Sequence, residues 1–573
     1  MPRGVKVERP VSTEPVEHAV QASTLIVLHP GSTTMWLGRA TDHLPKSFPH
    51  VIAWRRPPQN TVPLPNDGIL EREGIYHADS ETQRDLALSL VEQAIWSRNS
   101  SLGMSRKQQI SSSQVAAYNS GVEPEVLDEE DCSVEWTDLS SQPTYVAGEQ
   151  ALYIDPREPY NLRWPMKFGC LNLHGGPGGS LTAICEDLER IWANAIETML
   201  KIPLTDLPFY RAVLVIPDSF NKNHTKEMMD ILINRLKFSS AIIQQESVCS
   251  TFGCGLSSAC VVDVGDEKAS VCCVEDGLVI PNSRHWLHYG GRDITRCFYW
   301  LLKKVNFPYK ECDLKSNLNT FMLTELKETF CHLSQDIVGG RVHEFQVHHP
   351  NQAPLSYNLK IGNEAIQAPM AMFFPQLFGI VGKRLVFTSD PPYDDPEDLL
   401  DDRYLLESQR GDQSSKKGGA GTDTANEADQ AEVSGTPVIP GNRKRPMVAS
   451  AEKTLAMDQA IIQSIECCPS EDTKRKMYSN ILLIGGGFSF NGAAQVLQTR
   501  VQAKLPSHLR KLVDQVEVIA RPKEMDPRIV AWKGGAILSI LDSAQELWVT
   551  EQEWNIIGVR ALREKSLFVW STI

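Results

Sequence analysis

The sequence predicts an α/β fold of two related lobes that share one phosphate-binding cleft. Three glycine-containing turns, at residues 30–33, 263–266 and 485–487, each follow a buried apolar run of the kind found in central strands. A turn after such a strand presents backbone N–H groups to a phosphate. One turn is weak support, because most α/β proteins contain one, but three that are far apart in sequence indicate two halves around a shared phosphate chain.

The length and charge of the chain agree with two lobes. At 573 residues the chain is too long for one ordinary core, and its composition, 42% hydrophobic and 22% charged, is that of a globular protein. The formal charge is −14, but residues 390–440 hold 13 acids and 4 bases, a net of −9, which leaves about −5 elsewhere. The acidity therefore neither requires nor excludes a basic surface for DNA.

The thirteen cysteines are predicted to be reduced thiols of an intracellular protein. Adjacent pairs at 272–273 and 467–468 suit neither a disulfide framework nor a tetrahedral zinc site. Residues 1–22 are polar and are predicted to be a flexible tail. They lack the apolar core of a signal peptide, so no signal peptide is expected. No apolar run approaches the ~20 residues of a membrane span, so no membrane partner is expected.

Residues 390–455 are predicted to be an acidic insertion of low complexity that cannot bury enough apolar area to fold. The insertion ends in a basic run at Arg443, Lys444 and Arg445. Such a run is either a solvated loop or a nuclear import signal.

Apolar periodicity predicts the elements between these segments. In a helix over residues 80–98, Ser80 and Gln83 have capping-box spacing, and Leu86, Leu90 and Ile95 recur on one face. The other predicted elements are strands at 24–28, 212–216, 259–264, 271–274 and before 485, helices at 181–199, 224–236 and from 531, and a tryptophan-rich helical C-terminus.

Several segments resemble actin nearly residue for residue. They are IGNE at 361–364, GRDIT at 291–295, DLERIW at 187–192 and WKGGA at 532–536. The resemblance extends from Thr24 to the C-terminus and is interrupted by insertions at about 57–150 and 384–455. The segments at 29–34, 261–266, 326–331 and 532–535 are more closely similar to the actin-related protein 8 family.

This resemblance implies the actin-like fold, with two ribonuclease-H-like lobes around a nucleotide cleft. The implied subdomains are 23–50 with 165–253 and 530–573, then 51–164 with a large insertion, then 254–289 with 456–529, and finally 290–389. It also implies the residues that bind ATP, with or without Mg²⁺. These are Gly31, Ser32, Thr33, Asp263, Val264, Gly265, Asp266, Gly485, Gly486 and Gly487 at the phosphates, and Lys327, Glu328, Phe490 and Arg528 at the nucleoside, with Asp263 also the candidate metal ligand.

The phosphate end departs from the actin pattern at several positions. His29 replaces the acid that organises the metal, and imidazole is a poor magnesium ligand. Pro30 removes a backbone donor, and Trp36 replaces a phosphate-binding lysine. Glu267 replaces a glycine and is expected either to point at the phosphates or to turn the loop away. Glu246 falls where actin has its water-orienting glutamine, although Gln245 is adjacent, and Ser270 replaces a histidine.

Phosphoryl transfer depends on positioning and charge stabilisation, so these losses predict that the chain is not a competent ATPase. The nucleoside side is better kept, and ATP is expected to act as a structural wedge between the lobes, with an empty cleft as the alternative. The resemblance implies a nuclear scaffold subunit of the INO-eighty chromatin-remodelling complex. Its implied partners are a long helix of the remodeller ATPase, actin, a second actin-related protein, linker DNA and nucleosomes with their histones. A filament-forming actin-like ATPase and a kinase or chaperone of the same superfamily are the alternatives.

Overall fold

The computed structural model describes residues 21–56, 68–70, 78–101, 110–127, 135–280, 282–334, 340–349, 352–380, 386–387 and 455–566. Most of the predicted tail, nearly all of the acidic insertion and the basic run at Arg443, Lys444 and Arg445 lie outside these residues. No helix within the described part of the chain is both long and apolar enough to cross a bilayer.

The strands are β1 (Leu25–Pro30), β2 (Thr34–Arg39), β3 (Lys46–Pro49), β4 (Ile52–Arg55), β5 (Glu125–Val126), β6 (Tyr145–Ala147), β7 (Tyr160–Arg163), β8 (Met166–Lys167), β9 (Cys170–Leu171), β10 (Arg211–Ile216), β11 (Ser240–Gln245), β12 (Ser258–Val264), β13 (Ala269–Glu275), β14 (Leu278–Val279), β15 (His285–Leu287), β16 (Arg341–Val347), β17 (Leu355–Ile361), β18 (Val386–Phe387), β19 (Ile481–Ile484), β20 (Val518–Ile519) and β21 (Val549–Thr550).

The α-helices are α1 (Ala78–Ser101), α2 (Ser112–Ser120), α3 (Glu149–Leu152), α4 (Leu181–Ala195), α5 (Lys222–Asp230), α6 (Glu246–Cys254), α7 (Gly291–Lys304), α8 (Asn317–Phe330), α9 (Glu364–Met370), α10 (Met457–Glu466), α11 (Glu471–Ser479), α12 (Ala493–Ala503), α13 (Val530–Ser539), α14 (Glu551–Ile557) and α15 (Val559–Lys565). Helices α4 and α5 each continue as a π-helical turn, Ile196–Leu200 and Ile231–Arg235. Short 3-10 turns occupy Ala22–Thr24, Leu204–Phe209, Pro375–Phe378, Pro522–Glu524 and Asp542–Leu547.

The first lobe is built on a six-stranded sheet in the order β21-β11-β10-β1-β2-β3. Strand β1 pairs in parallel with β10 and antiparallel with β2. Its residues Leu25 to Leu28 are completely buried, because helices cover both faces of a central parallel strand. Helix α4 begins where the Ser180 hydroxyl accepts from the Ala183 amide at 3.3 Å, and it buries its apolar face against this sheet.

The second lobe repeats this arrangement. Its sheet runs β18-β15-β13-β12-β19-β20, with β14 attached to β13. The central strand β12 pairs antiparallel with β13 and parallel with β19, as β1 does with β2 and β10. The two lobes are therefore related, as the three glycine turns predicted.

Helices α6 and α13 join the lobes through a core that contains Val27 of the first lobe and Val261 of the second. The two helices pack backbone to backbone, since a Cβ added at Gly534 would lie 1.6 Å from the carbonyl oxygen of Cys249. The Trp532 indole donates to the carbonyl of Val27 at 3.1 Å and fixes α13 on the sheet. The segment that resembles actin at 532–536 is therefore the joint between the lobes.

The predicted helices at 181–199, 224–236 and from 531, and the hairpin of β12 with β13, are confirmed. The helix predicted from residue 80 is present as α1, and Ile95 of its predicted face is buried, but the predicted cap and the rest of that face were wrong. It begins at Ala78, so Ser80 lies inside the helix and is buried. Leu86 and Leu90 are 64% and 47% exposed, whereas Val91 is buried. The exact subdomain boundaries remain a prediction.

Candidate functional site

The second and third glycine turns meet directly at the interface of β12 and β19. The Gly487 amide donates to the Val264 carbonyl at 2.7 Å. A Cβ at Gly485, whose φ is +84°, would lie 2.3 Å from the Val264 oxygen, and one at Gly487 would lie 2.1 Å from the Gly265 oxygen. Only glycine therefore allows these two turns to touch.

The first turn, between β1 and β2, is attached to the second turn by side chains. The Thr33 hydroxyl donates to the Asp266 carboxylate. Arg292, buried at the start of α7, donates to the Thr33 oxygen at 2.8 Å and lies 2.7 Å from Asp266. The Gly169 amide donates to the Ser32 hydroxyl at 3.3 Å. The structure thus brings all three turns together, with Arg292 as the tie between lobes.

Glu267 is turned into the protein. Its carboxylate pairs with Arg292 at 2.5 Å and accepts from the Phe168 amide at 2.8 Å. Of the two expectations for this residue, the structure favours a loop that turns the acid away from the cleft. Burial alone would raise the pKa of the neighbouring Asp266 carboxyl, but Arg292 and Thr33 hold it below its usual value.

A buried cluster of Glu246, His29 and Lys268 lies next to these turns. Glu246, the first residue of α6, places one carboxylate oxygen 3.1 Å from His29 and the other 2.7 Å from Lys268. Burial opposes ionisation of Glu246, but Lys268 and His29 together lower its pKa to about 2. Burial and the nearby charge of Glu246 raise the pKa of Asp263 to about 6.

The first turn is also held by a hydrogen bond from His50. Its Nδ1 donates to the Gly31 carbonyl at 2.7 Å, and its Nε2 accepts from the Trp192 indole at 3.2 Å. These partners place the ring proton on Nδ1. Burial lowers the pKa of His50 to about 4, although the hydrogen bond to the Gly31 carbonyl opposes this shift.

The nucleoside side is an open cavity of about 500 Å³. Glu328 and Phe490, which the resemblance places near the nucleoside, line it. Lys327, the residue before Glu328, is buried, and its Nζ lies 3.5 Å from the Gly291 carbonyl. The cavity is also lined by Thr329, Phe330, Cys331, His332, Arg341, His343, Ile361, Gly362, Ala365, Ser489 and Asn491.

Arg528 stands between the two ends of the cleft. Its side chain makes a bidentate ion pair with Asp526, with Nε 3.1 Å from Oδ1 and Nη2 2.7 Å from Oδ2. Its aliphatic carbons lie 3.2 Å from where a Cβ at Gly486 would be, and its guanidinium is 5.8 Å from the Trp36 ring. The aromatic ring that replaces actin's lysine therefore faces a cation.

A model of the actin family matches residues 20–566 of the chain. The chain belongs to the actin family. Human actin-related protein 8 is 46% identical over 96% of this chain and 93% of its own length, and the Aedes aegypti protein of that name is 38% identical over 97% and 99%. A solved structure of human actin-related protein Arp8 in its ATP-bound state covers 98% of this chain and all of that one, with a TM-score of 0.83 and 44% identity. The predicted actin-like fold and the resemblance to actin-related protein 8 are confirmed.

This actin-family cleft has groups that fit a nucleoside polyphosphate. Among the described residues, the amides of Ser32, Thr33 and Gly486 have no protein acceptor and are available to an anion. Gly486 is exposed at the third turn, and Phe490 offers an aromatic face to a base.

The fit of these groups to a metal ion is weaker, as the described side chains show. No set of three or more histidine, cysteine, aspartate or glutamate side chains within the described ranges is arranged to hold a metal ion. Asp263, the candidate ligand, lies beside the Glu246–Lys268 pair. A Mg²⁺ ion there would take its other ligands from nucleotide phosphates and water.

Two residues that hold this actin-family site together, Lys268 and Arg292, were not predicted. Arg292 lies within the GRDIT segment, which carried the resemblance but not its role. Lys268 follows two acids in the second turn, and that concentration of charge was the available signal. His50 gave no sequence signal, because its function depends on two partners that are distant along the chain.

Proposed function

We propose that this actin-family chain binds ATP as a structural ligand, hydrolyses it slowly or not at all, and works as a scaffold subunit of a nuclear chromatin-remodelling complex. The single observation that carries the chemical part is the ion cluster of Glu246, His29 and Lys268 at the phosphate end. Any Mg²⁺ bound with the nucleotide has a structural role here. Support for ATP comes from the open cavity, the free turn amides and the relative solved in its ATP-bound state.

The cluster disfavours hydrolysis for a physical reason. Both carboxylate oxygens of Glu246 are engaged, one by His29 and one by Lys268, so a water molecule would have to share each oxygen with a protein donor. A carboxylate with a pKa of about 2 is also a weak general base at neutral pH. Losing one such group typically costs on the order of 10²–10³ in rate.

The scaffold part of the proposal is supported by exposed apolar side chains near the joint between lobes. Leu278 is 56% exposed in β14, just after the turn that follows β13, and Ile540 and Leu541 are exposed just after α13. Exposed apolar side chains of this kind can bind the apolar face of an amphipathic helix. We propose that a long helix of a remodeller ATPase binds here, in a complex that also contains actin and a second actin-related protein.

The same assembly would engage linker DNA, nucleosomes and histones, with roles in transcription regulation, DNA repair and DNA recombination. These features, the nuclear location among them, rest on the family resemblance. Phosphate contacts by basic side chains would make DNA binding salt-dependent.

The test has two parts. Calorimetry with ATP and Mg²⁺ should show binding, while phosphate release from the same sample stays at the level of a protein-free control. Actin-like turnover would overturn the chemical part. Affinity purification from nuclei should recover a remodeller ATPase together with actin, and recovery of neither would overturn the scaffold part.

A further inference from the structure

The nucleoside cavity is built from segments of the second lobe that are fastened to one another. At the end of α8, the His332 amide donates to the Ala365 carbonyl of α9 at 3.1 Å. The next amide, that of Leu333, donates at 2.7 Å to the carbonyl of Asn491, which follows the third turn. Backbone hydrogen bonds therefore fix the walls of this cavity, whose volume is about 500 Å³.

One wall of the cavity is aromatic. Phe490 meets Phe488 edge-on, with ring centroids 5.8 Å apart, and Phe488 is buried. Phe373 in turn meets Phe488 edge-on at 5.7 Å. Such edge-to-face contacts favour one ring orientation, so Phe490 is anchored on the core of the second lobe and can present a face to a base.

A second wall of the cavity comes from strand β16, which belongs to a different sheet from the strands that carry the turns. His343 on this strand stacks on Phe330 at the end of α8, with ring centroids 3.7 Å apart. Burial and the nearby charge of Arg341 lower the pKa of His343, so its ring is neutral near neutral pH. The stack holds β16 against α8, and Arg341 lines the same cavity.

The Arg341 guanidinium is available to a ligand. It is exposed, and none of the residues that the structure describes accepts a hydrogen bond from it or pairs with it. Other arginines of the second lobe are engaged, since Arg296 and Arg500 each pair with a buried carboxylate. A guanidinium has five N–H donors and no acceptor, so Arg341 brings only donors to the cavity.

The phosphate turns determine which part of a bound nucleotide would meet Arg341. Lys327, next to the cavity-lining Glu328, has its Nζ 3.5 Å from the Gly291 carbonyl, and the Gly291 amide donates to Gly265 of the second turn at 3.0 Å. A ribose is therefore expected at this end of the cavity, with the base extending away from the turns toward β16. The purine edge that carries N7 and the position-6 group faces away from the ribose.

We propose that Arg341 contacts this edge of a purine base, and that the cavity accepts 6-oxopurine nucleotides, those of guanine and hypoxanthine, as well as ATP. Arginine forms a bidentate contact with O6 and N7 of a 6-oxopurine, because both atoms are acceptors. Adenine keeps the N7 acceptor but has a donor amino group at position 6, for which the amide oxygen of Asn491 is a candidate acceptor. This inference rests on the proposed nucleotide binding and names a further class of ligand for the same cavity.

The test is calorimetric titration of the full-length protein, freed of bound nucleotide, with ATP, inosine triphosphate, CTP and inorganic triphosphate. Inosine triphosphate differs from ATP at position 6 of the base. We expect it to bind within about tenfold of ATP, and Arg341→Met to weaken it about tenfold or more while weakening ATP only a few-fold. The affinities for inorganic triphosphate and for CTP, whose smaller base does not reach β16, should not change.

Two control variants accompany this change. Arg341→Lys keeps the charge but loses the bidentate geometry, so its affinity for inosine triphosphate should fall between those of the original protein and Arg341→Met. Arg475→Met removes an exposed arginine of α11 that does not line the cavity, and it should leave all four affinities unchanged. Thermal melting should show that Arg341→Met is folded, because its side chain is exposed and unpaired.

The outcomes separate this inference from the proposed function. Equal losses of ATP and inosine triphosphate affinity in Arg341→Met would overturn the contact with position 6. Binding of inosine triphosphate about 100-fold or more weaker than ATP by the original protein would do the same, and both results would leave the proposed ATP binding in place. If neither ATP nor inorganic triphosphate binds, the proposed nucleotide binding fails and the assignment of Arg341 fails with it.

Discussion

The two ends of the cleft differ in what occupies them. At the phosphate end, charged side chains neutralise one another, within the second lobe through Arg292 with Glu267 and between α6 and the second turn through Glu246 with Lys268. At the nucleoside end, a cavity of about 500 Å³ remains open beside Phe490. The difference is one of packing: charged side chains hold the phosphate end together through ion pairs, whereas the nucleoside end keeps an open cavity.

The largest effect on stability is expected from removing the Arg292 cation at the phosphate end. Arg292→Met removes the cation between the Glu267 and Asp266 carboxylates, and a buried charge left without its partner typically costs about 3–5 kcal/mol of unfolding free energy. Urea denaturation followed by circular dichroism measures the loss. In the matched control, Glu267→Gln in the Arg292→Met background should recover much of it. A midpoint unchanged by Arg292→Met would contradict the role of Arg292 as the tie between lobes.

The phosphate end should also respond to pH through His50. Its pKa is lowered to about 4, so between pH 6.5 and 4 the unfolded chain binds a proton that the folded chain does not. Stability therefore falls as the pH drops through this window, by up to about 3 kcal/mol from this group. His50→Asn, which keeps a donor for Gly31 but does not titrate, should show a shallower loss of stability between pH 6.5 and 5. Equal slopes in both proteins would refute the assignment.

Ligand affinity at the nucleoside end should depend on the aromatic ring of Phe490. Phe490→Ala removes the ring available to stack on a base, and such stacking is worth about 1–3 kcal/mol, or roughly 5- to 150-fold in affinity. Calorimetry with ATP measures the loss. Phe490→Tyr keeps the ring and should bind within a few-fold of the original protein. If Phe490→Ala binds as tightly as Phe490→Tyr, the base lies elsewhere.

The positions of side chains at the nucleoside end could be inferred from the sequence more directly than those at the phosphate end, and the reason is physical. Phe490 and Glu328 match actin positions near the nucleoside and line the cavity without depending on a partner elsewhere in the chain, although their binding role stays a prediction. Glu267 left two expectations open, because the direction of its carboxylate depends on Arg292 and on the Phe168 amide, which lie far away along the chain.

The fold shows the same contrast between features that local sequence determines and features that depend on distant partners. The central strands and glycine turns depend on local apolar runs and were predicted, whereas the buried face of α1 was not. Leu86 and Leu90 have helical spacing but point to solvent, since α1 packs with Ala87 and Val91 on the second lobe. The shape of the partner surface, rather than the hydrophobicity of the helix alone, decided which face is buried.

The smallest expected effect concerns Arg528, which marks the boundary between the two ends. Its guanidinium is largely exposed and already paired with Asp526, so Arg528→Ala should change stability by less than ~1 kcal/mol. If Arg528 belongs to the nucleoside end, its loss should weaken ATP, ADP and adenosine by the same few-fold factor, and Arg528→Lys should restore part of it. A loss of affinity confined to ATP would instead indicate that the guanidinium contacts the terminal phosphate. Arg528, which lies 5.8 Å from the Trp36 ring, would then belong to the phosphate end. Titrations of the three ligands against the three proteins therefore locate where one end of the cleft stops and the other begins.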